Sequence, residues 1–262
     1  MSFVVSLTSH PTRLRYLDSV VEELVRQTVL PSTVVINLPP ECFWLPNPDI
    51  EFPFKIDIHY VEDVGPATKL IPTLSSHPDD PIVTIDDDVK YHPSLFQRLL
   101  EAHNRFPALR VAGHVRLVPV SPMLPYVLWP KVISRRDQIL TGAVPLGCEG
   151  VLYPPHFFKS DVDDLDALLS IAATNDDLWF WAHGQMSEPA VVALQFRSDS
   201  PRREGSNDSG LWRQNRSDNS RVYRKILANY SQLESARSGI RPFAFHFLQF
   251  VAFSLFNYLR RK

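Results

Sequence analysis

Apolar residues come in short runs separated by polar, Pro-bounded segments, and their spacing changes along the chain. Phe3 to Leu7 is a near-continuous apolar run, the pattern of a strand buried on both faces. Thr8-Ser9-His10-Pro11-Thr12 breaks it. Leu14, Leu17, Val20, Val21, Leu24 and Val25 then recur at helical spacing and predict a helix from Thr12 to about Gln27. Val34 to Leu38 reads as a second strand, stopped by Pro39-Pro40. Ile56, Ile58 and Tyr60 alternate with Asp57 and His59, a third strand with one polar face. A short helix near Thr68–Leu74 precedes Pro81-Ile82-Val83-Thr84-Ile85, a fourth strand that runs into Asp86-Asp87-Asp88.

Pro93 opens a helix with Leu95, Phe96, Leu99 and Leu100 facing inward, and Val111 to Val115 reads as a further strand. Residues 117–140 are Pro-rich and predicted irregular, and a loop of that length inside a domain is usually functional. A Gly147–Gly150 turn leads into a strand at Val151-Leu152-Tyr153. Helices are expected at Asp163–Ala172 and from Thr174, a strand at Val191–Phe196, a polar flexible loop over 198–221 and a helix from Arg221 to Leu233. Strands alternating with helices predict a layered α/β/α domain, Rossmann-like, with a mainly parallel central sheet, over residues 1–235. In the remainder, 236–262, the stretch Pro242 to Leu259 is dense in Phe. His246, Gln249, Ser254 and Asn257 share one helical face and Arg260-Arg261-Lys262 follow. This is an amphipathic helix for a membrane surface, a partner or its own domain.

Composition narrows the classes. The 262-residue chain carries a formal charge of -2, so it has no nucleic-acid footprint. Two cysteines far apart, Cys42 and Cys148, fit a reducing, cytoplasmic compartment and exclude a disulfide scaffold. With 9 glycines against 23 prolines, Gly-rich nucleotide loops are not expected, and no Walker loop, Gly-x-Ser-x-Gly elbow or Gly-x-Gly-x-x-Gly turn occurs.

The candidate chemistry gathers on acids. Three adjacent carboxylates at the tip of a strand repel one another, a cost relieved by solvation in a turn or by a bound cation. At strand spacing Asp86 and Asp88 point to one side and Asp87 to the other. Lys69, in the loop before this strand, is either a solvated lysine or a partner for a diphosphate. Asp176-Asp177 follows the capping pair Thr174-Asn175. Acids in a first helical turn are stabilised by the helix N-terminus, and one facing a cleft can take a proton from a hydroxyl. Trp179 and Trp181 either join the core or offer faces to a sugar. The Gly147–Gly150 turn is a tight turn or a close backbone approach to a ligand.

In their order, these features resemble a GT-A glycosyltransferase of the family-2-like kind. The first strand ends in Thr8. Asp86-Asp87-Asp88 resembles the family's Asp-x-Asp motif, and Asp176-Asp177 its acid pair. The resemblance spans roughly residues 3–196. It implies a metal-dependent, inverting transfer of a sugar from a nucleoside-diphosphate sugar to a saccharide or lipid-linked saccharide acceptor, as in bacterial surface polysaccharide synthesis. Asp88 with Asp86 would hold Mn2+ or Mg2+. Thr8, Arg13, Asp86 and Asp87 would face the donor; Lys69 matches no firm position of the family and is a donor-binding candidate on its own chemistry alone. Gly150, Glu149 and Trp179 would face the acceptor. Asp177, or else Asp176, would be the base. The late histidine ligand of many such enzymes has only His183 and His246 as candidates. The C-terminal segment 242–262 would allow peripheral contact with the inner face of the cytoplasmic membrane. Two alternatives stand beside this: a nucleotidyltransferase acting on sugar phosphates, which would normally bring a Gly-rich loop where Thr8-Ser9-His10-Pro11-Thr12-Arg13 stands, and a non-catalytic sugar-binding module on the same fold.

Overall fold

The structure is a computed structural model, and it describes residues 2–119, 124–132, 136–195, 201–203 and 212–233, with residues 212–217 as backbone only. The predicted amphipathic segment 236–262, with His246, lies outside the described residues, as does Phe196.

Ten strands and six α-helices alternate among the described residues. The strands are β1 (Val4–Thr8), β2 (Thr33–Leu38), β3 (Lys55–Tyr60), β4 (Ile82–Thr84), β5 (Arg110–Ala112), β6 (Val115–Leu117), β7 (Gln138–Thr141), β8 (Ala143–Pro145), β9 (Val151–Tyr153) and β10 (Ala190–Ala193). The helices are α1 (Leu17–Leu24), α2 (Ile71–Ser76), α3 (Leu95–Arg105), α4 (Leu165–Ala172), α5 (Asp176–Ser187) and α6 (Trp212–Asn229). Eight strands form one sheet in the order β3-β2-β1-β4-β9-β5-β10-β7, and β6 pairs with β8 apart from it. Within the large sheet β3, β2, β1 and β4 run parallel, β9 is antiparallel to both its neighbours, β10 is parallel to β5, and β7 closes the edge antiparallel. The fold is therefore a mixed α/β layer structure with a large, mostly parallel central sheet, as expected.

The layers follow from strand pleating, which sends successive side chains to opposite faces. Val83, Val111, Leu152 and Val192 pack with α1 and α3 on one face. Their neighbours Ile82, Ala112, Val151 and Val191 pack with residues of α4, α5 and α6 on the other. Both faces are covered, which is why these strands read as unbroken apolar runs.

Several sequence expectations need correction. The first predicted helix is two pieces, a 3-10 turn over Pro11–Tyr16 and then α1. The predicted strand at 111–115 breaks at Gly113-His114 into β5 and β6, which belong to different sheets. The stretch predicted irregular contains β7 and a 3-10 turn at Tyr126–Leu128. The polar loop at 198–221 is interrupted by α6, which starts at Trp212, and its Arg202 and Arg203 are pinned by ion pairs.

Candidate functional site

β1 lies between β2 and β4, so the chain leaves it toward one side and returns on the other. This is a topological switch point, where loops at the carboxyl ends of adjacent parallel strands diverge and leave a crevice. Ser6 of β1 is in register with Thr84 of β4, and the Ile85 amide donates to the Ser6 carbonyl. The residues just beyond, Thr8-Ser9 and Asp86-Asp87-Asp88, therefore emerge side by side.

The acids do not splay into solvent. Asp87 is 1 % exposed and Asp88 3 % exposed, and each is met by cations or hydroxyls. Ser9 Oγ donates to Asp87 Oδ2 at 2.6 Å. Arg13, carried in by the 3-10 turn over Pro11–Tyr16, reaches Asp87 Oδ1 at 3.3 Å and Asp88 Oδ2 at 3.4 Å. Arg202 pairs with the same Asp88 oxygen. It is held there because its segment pairs with the acid loop: Val89 bridges Arg202, the Lys90 amide donates to Pro201 and the Arg203 amide donates to the Asp88 carbonyl. Arg203 anchors the segment to α1 through Glu23 and Ser19.

Lys69 is 6 % exposed and joins the two acid groups, pairing with Asp86 and lying 3.2 Å from Asp176 Oδ2. It sits at the end of the 3-10 turn Gly65–Lys69, whose backbone is fixed from below: Ser6 Oγ donates to the Lys69 carbonyl at 2.5 Å, and Asn37 Nδ2 donates to Thr73 Oγ1 at 2.8 Å and to Ser6 Oγ at 3.3 Å. Asp176-Asp177 is aimed by α5, whose first turn is capped by Asn175 accepting from the Leu178 amide at 2.8 Å. Asp177 Oδ1 accepts from the Gly147 amide at 2.8 Å.

Burial alone would pull the Lys69 ammonium down, but the carboxylates of Asp176, Asp86 and Asp177 outweigh it and hold it well above the ordinary lysine range. Burial raises the Asp86 carboxyl, and Lys69 overcomes this to leave it lowered. Asp87 is pushed up to about 6 by burial, against Arg13 and Ser9. Asp88 is raised by burial and by Asp86, with Arg202 opposing. Asp177 is pushed up to about 8 by burial and by its neighbour Asp176, so it keeps a proton at neutral pH.

With Asp177 protonated, the carboxylates of Asp86, Asp87, Asp88 and Asp176 face the three cations Lys69, Arg13 and Arg202. That imbalance is one a divalent ion would relieve. Asp88 Oδ1 is a buried acceptor without a hydrogen-bond partner, a second observation that fits a cation. Among the described residues no three His, Cys, Asp or Glu side chains form a ready cation site. The residues therefore fit Mg2+ or Mn2+ shared with a ligand's phosphates, the usual mode for Mg2+, rather than an ion held by protein alone.

The structure brings together Arg13, Lys69, Asp86, Asp87, Asp88, Asp176 and Asp177, with Thr8 at the end of β1. The other predicted residues fall elsewhere. Trp179 is fully buried, donates to the Val162 carbonyl at 2.9 Å and offers no face to a ligand. Gly150, at φ +76°, turns its Cβ position toward Leu95 Cδ2 at 3.1 Å, so it serves packing on α3. Glu149 presents its backbone to Gly113, whose added Cβ would meet the Glu149 carbonyl at 2.4 Å. His183 lies in the core, with Nδ1 2.8 Å from Ser160 Oγ and its ring 4.3 Å from Trp179. Sequence reading missed Ser9 and Arg202, and named Gly147 only as the start of a turn that could approach a ligand. The apolar-to-polar switch after Leu7 could have pointed to Ser9, whereas nothing local marks Arg202.

No family model matches the chain, and no curated protein matches it in sequence. Solved structures do resemble it. A UTP-bound UGPase from Acinetobacter baumannii is 10% identical over 94% of this chain and 99% of that one, with a TM-score of 0.48. A UDP-glucose pyrophosphorylase complexed with UDP-glucose is 10% identical over 88% of this chain and 100% of that one, at a TM-score of 0.44. A CMP:2-keto-3-deoxy-manno-octonic acid synthetase complexed with CTP is 11% identical over 84% and 98%, at 0.43. These three are pyrophosphorylases and a synthetase, not glycosyltransferases, and the expectation of sugar transfer to a saccharide acceptor is withdrawn on that finding. Among the described residues no helix is long and apolar enough to cross a membrane.

Proposed function

We propose that this chain is a nucleotidyltransferase that joins a nucleoside triphosphate to a sugar phosphate. The observation that carries the reading is the convergence of Lys69, Arg13 and Arg202 with five aspartates beside the carboxyl ends of β1 and β4. Cations in that place suit a chain of phosphates. The acids are committed to partners within the protein: Asp176 faces Lys69 and Asp177 accepts the Gly147 amide. A sugar phosphate needs no base, since its oxygen is already ionised near neutral pH.

In this reading a phosphate oxygen of the sugar phosphate attacks the α-phosphorus of the triphosphate. A new P–O bond forms, the bond between the α-phosphorus and the bridging oxygen breaks, and pyrophosphate leaves with the electron pair. Lys69 binds the phosphates undergoing exchange and neutralises charge that develops between them. Arg202 and Arg13 face the leaving pyrophosphate, and Asp87 with Ser9 holds the Arg13 guanidinium in place. Mg2+ or Mn2+ held by Asp86 and Asp88 would supply further neutralisation of the triphosphate. Thr8, at the end of β1, lies on the nucleoside side.

A panel of the four nucleoside triphosphates with common sugar 1-phosphates, read as released pyrophosphate, tests the reading. Release that requires both substrates, and that Arg202→Gln lowers by about 2 kcal/mol of barrier, or roughly thirtyfold, is expected. No release with any pair contradicts the assignment.

A further inference from the structure

Three cations hold the acid cluster, and Arg202 is held there differently from the other two. Lys69 is buried, and Arg13 spans Asp87 and Asp88. Among the described residues Arg202 pairs with one carboxylate, that of Asp88, and its side chain is 35 % exposed against 4 % for the aspartate. The aspartate is fixed inside the protein, while the guanidinium has room to leave it.

The main chain of residues 201–203 has no such room. Val89 bridges Arg202, the Lys90 amide donates to the Pro201 carbonyl at 3.0 Å, and the Arg203 amide donates to the Asp88 carbonyl at 2.8 Å. Arg203 is buried and tied to α1, donating to Ser19 Oγ at 2.8 Å, to Glu23 Oε1 at 3.1 Å and to Glu23 Oε2 at 2.5 Å. Glu23 is no part of the acid cluster, yet through Arg203 it fixes the place from which the Arg202 side chain starts. A side-chain swing therefore keeps the guanidinium within reach of the crevice.

Arg202 and Arg13 share Asp88 Oδ2, and Lys69 takes Asp86 Oδ1. Asp88 Oδ1, buried and without a hydrogen-bond partner, is the oxygen left open. A divalent ion reaching it alone meets a guanidinium on the other oxygen of the same carboxylate, where burial leaves the repulsion poorly screened. A phosphate chain arriving with the ion changes the balance. Its oxygens match the guanidinium fork and offer Arg202 a partner it need not share with Arg13. We propose that Arg202 is a built-in counterion for Asp88, which excludes a free divalent ion and yields to one that arrives with phosphates, onto which the guanidinium transfers. The inference rests on the reading that Asp86 and Asp88 hold the cation. It makes binding ordered, with metal and nucleotide entering together and not metal first.

Titration calorimetry of the full chain with Mn2+ alone, without nucleotide, tests it. Arg202→Gln should tighten Mn2+ binding at least about tenfold over the parent, one decade in Kd. Adding Asp88→Asn to Arg202→Gln should remove the gain. Glu23→Gln leaves Arg202 in place but loosens its anchor, and should tighten Mn2+ binding by a smaller factor in the same direction. Loss of a carboxylate acting only through the general field would weaken cation binding, so the sign separates an anchored guanidinium from plain electrostatics. Equal Mn2+ affinity in the parent and Arg202→Gln overturns the proposal. So does a gain that survives Asp88→Asn, or one that Glu23→Gln does not share. Because no nucleotide is present, a failure here is distinct from a failure of the reaction proposed above, which pyrophosphate release reads separately.

Discussion

At the scale of single residues, Gly147 ties the two halves of the acid cluster together by what it lacks. A Cβ there would stand 3.2 Å from Lys69 Nζ, 3.3 Å from Asp177 Oδ1 and 3.7 Å from Asp86 Oδ1. Its amide meanwhile holds Asp177. Gly147→Ala should therefore shift the Lys69 ammonium and the Asp177 carboxyl by a few tenths of an ångström and lower pyrophosphate release by about tenfold, near 1.4 kcal/mol of barrier, with little change in melting temperature. A melting temperature that falls while activity survives would show the glycine to be structural only. Asp177 supplies a second test. Its folded-state pKa of about 8 lies above the unfolded carboxyl value, so the folded protein binds the extra proton between pH 4 and 8 and loses stability as pH rises through that window. Asp177→Asn keeps an acceptor for Gly147 and cannot ionise. Relative to the parent, its stability should climb from pH 4 to pH 8, by at most about 1.4 kcal/mol per pH unit, and level off above. Denaturant midpoints across that range check the slope, and a gap that stays constant with pH contradicts the buried, protonated carboxyl.

Helix α5 shows how an element delivers a site. Asn175 caps it and also donates through Nδ2 to Asn219 Oδ1 at 2.6 Å on α6, so the acids at its first turn are fixed from two directions. Asn175→Ala should cost about 1–2 kcal/mol, the usual worth of a cap, in urea unfolding. The same helix passes over a buried cation farther along: Arg110, on β5 and fully buried, donates to the Phe180 carbonyl at 3.2 Å and lies 5.1 Å from the Phe157 ring centre. A Cβ at Gly184 would come within 2.1 Å of Arg110 Nη1. Alanine normally favours a helix interior over glycine by about 1 kcal/mol. At this position Gly184→Ala should instead destabilise by about 1–3 kcal/mol, the cost of overpacking, in the same unfolding assay. A stabilised variant would mean the guanidinium moves aside freely.

The large sheet accounts for what the sequence made legible. β1, β2, β4 and β9 are covered on both faces, so their apolar runs stand out, and the acids were visible because they follow β4 directly. Lys69 and Asp176-Asp177 could be singled out for the same reason, each sitting next to an element boundary. Arg202 could not: it is 114 residues from Asp88 in the chain, within a polar stretch whose composition reads as a loop. Trp179 misled because α5 is buried nearly all round, from Leu178 to Gly184, so no polar face distinguished core from surface. β7 and β8 are four and three residues long, too short for alternation to register, and they adjoin a Pro-rich stretch.

The central claim for the whole molecule is that the crevice between β1 and β4 holds a triphosphate together with a divalent cation. Its most direct test is the thermal unfolding of the full chain with each nucleoside triphosphate, with and without Mg2+, in the parent and in Asp88→Asn. The account predicts that at least one nucleotide stabilises the parent only with Mg2+, by about 2.7 kcal/mol at a hundredfold excess over its Kd, and that Asp88→Asn removes the effect. Equal stabilisation of parent and variant, or none by any nucleotide with Mg2+, would contradict it.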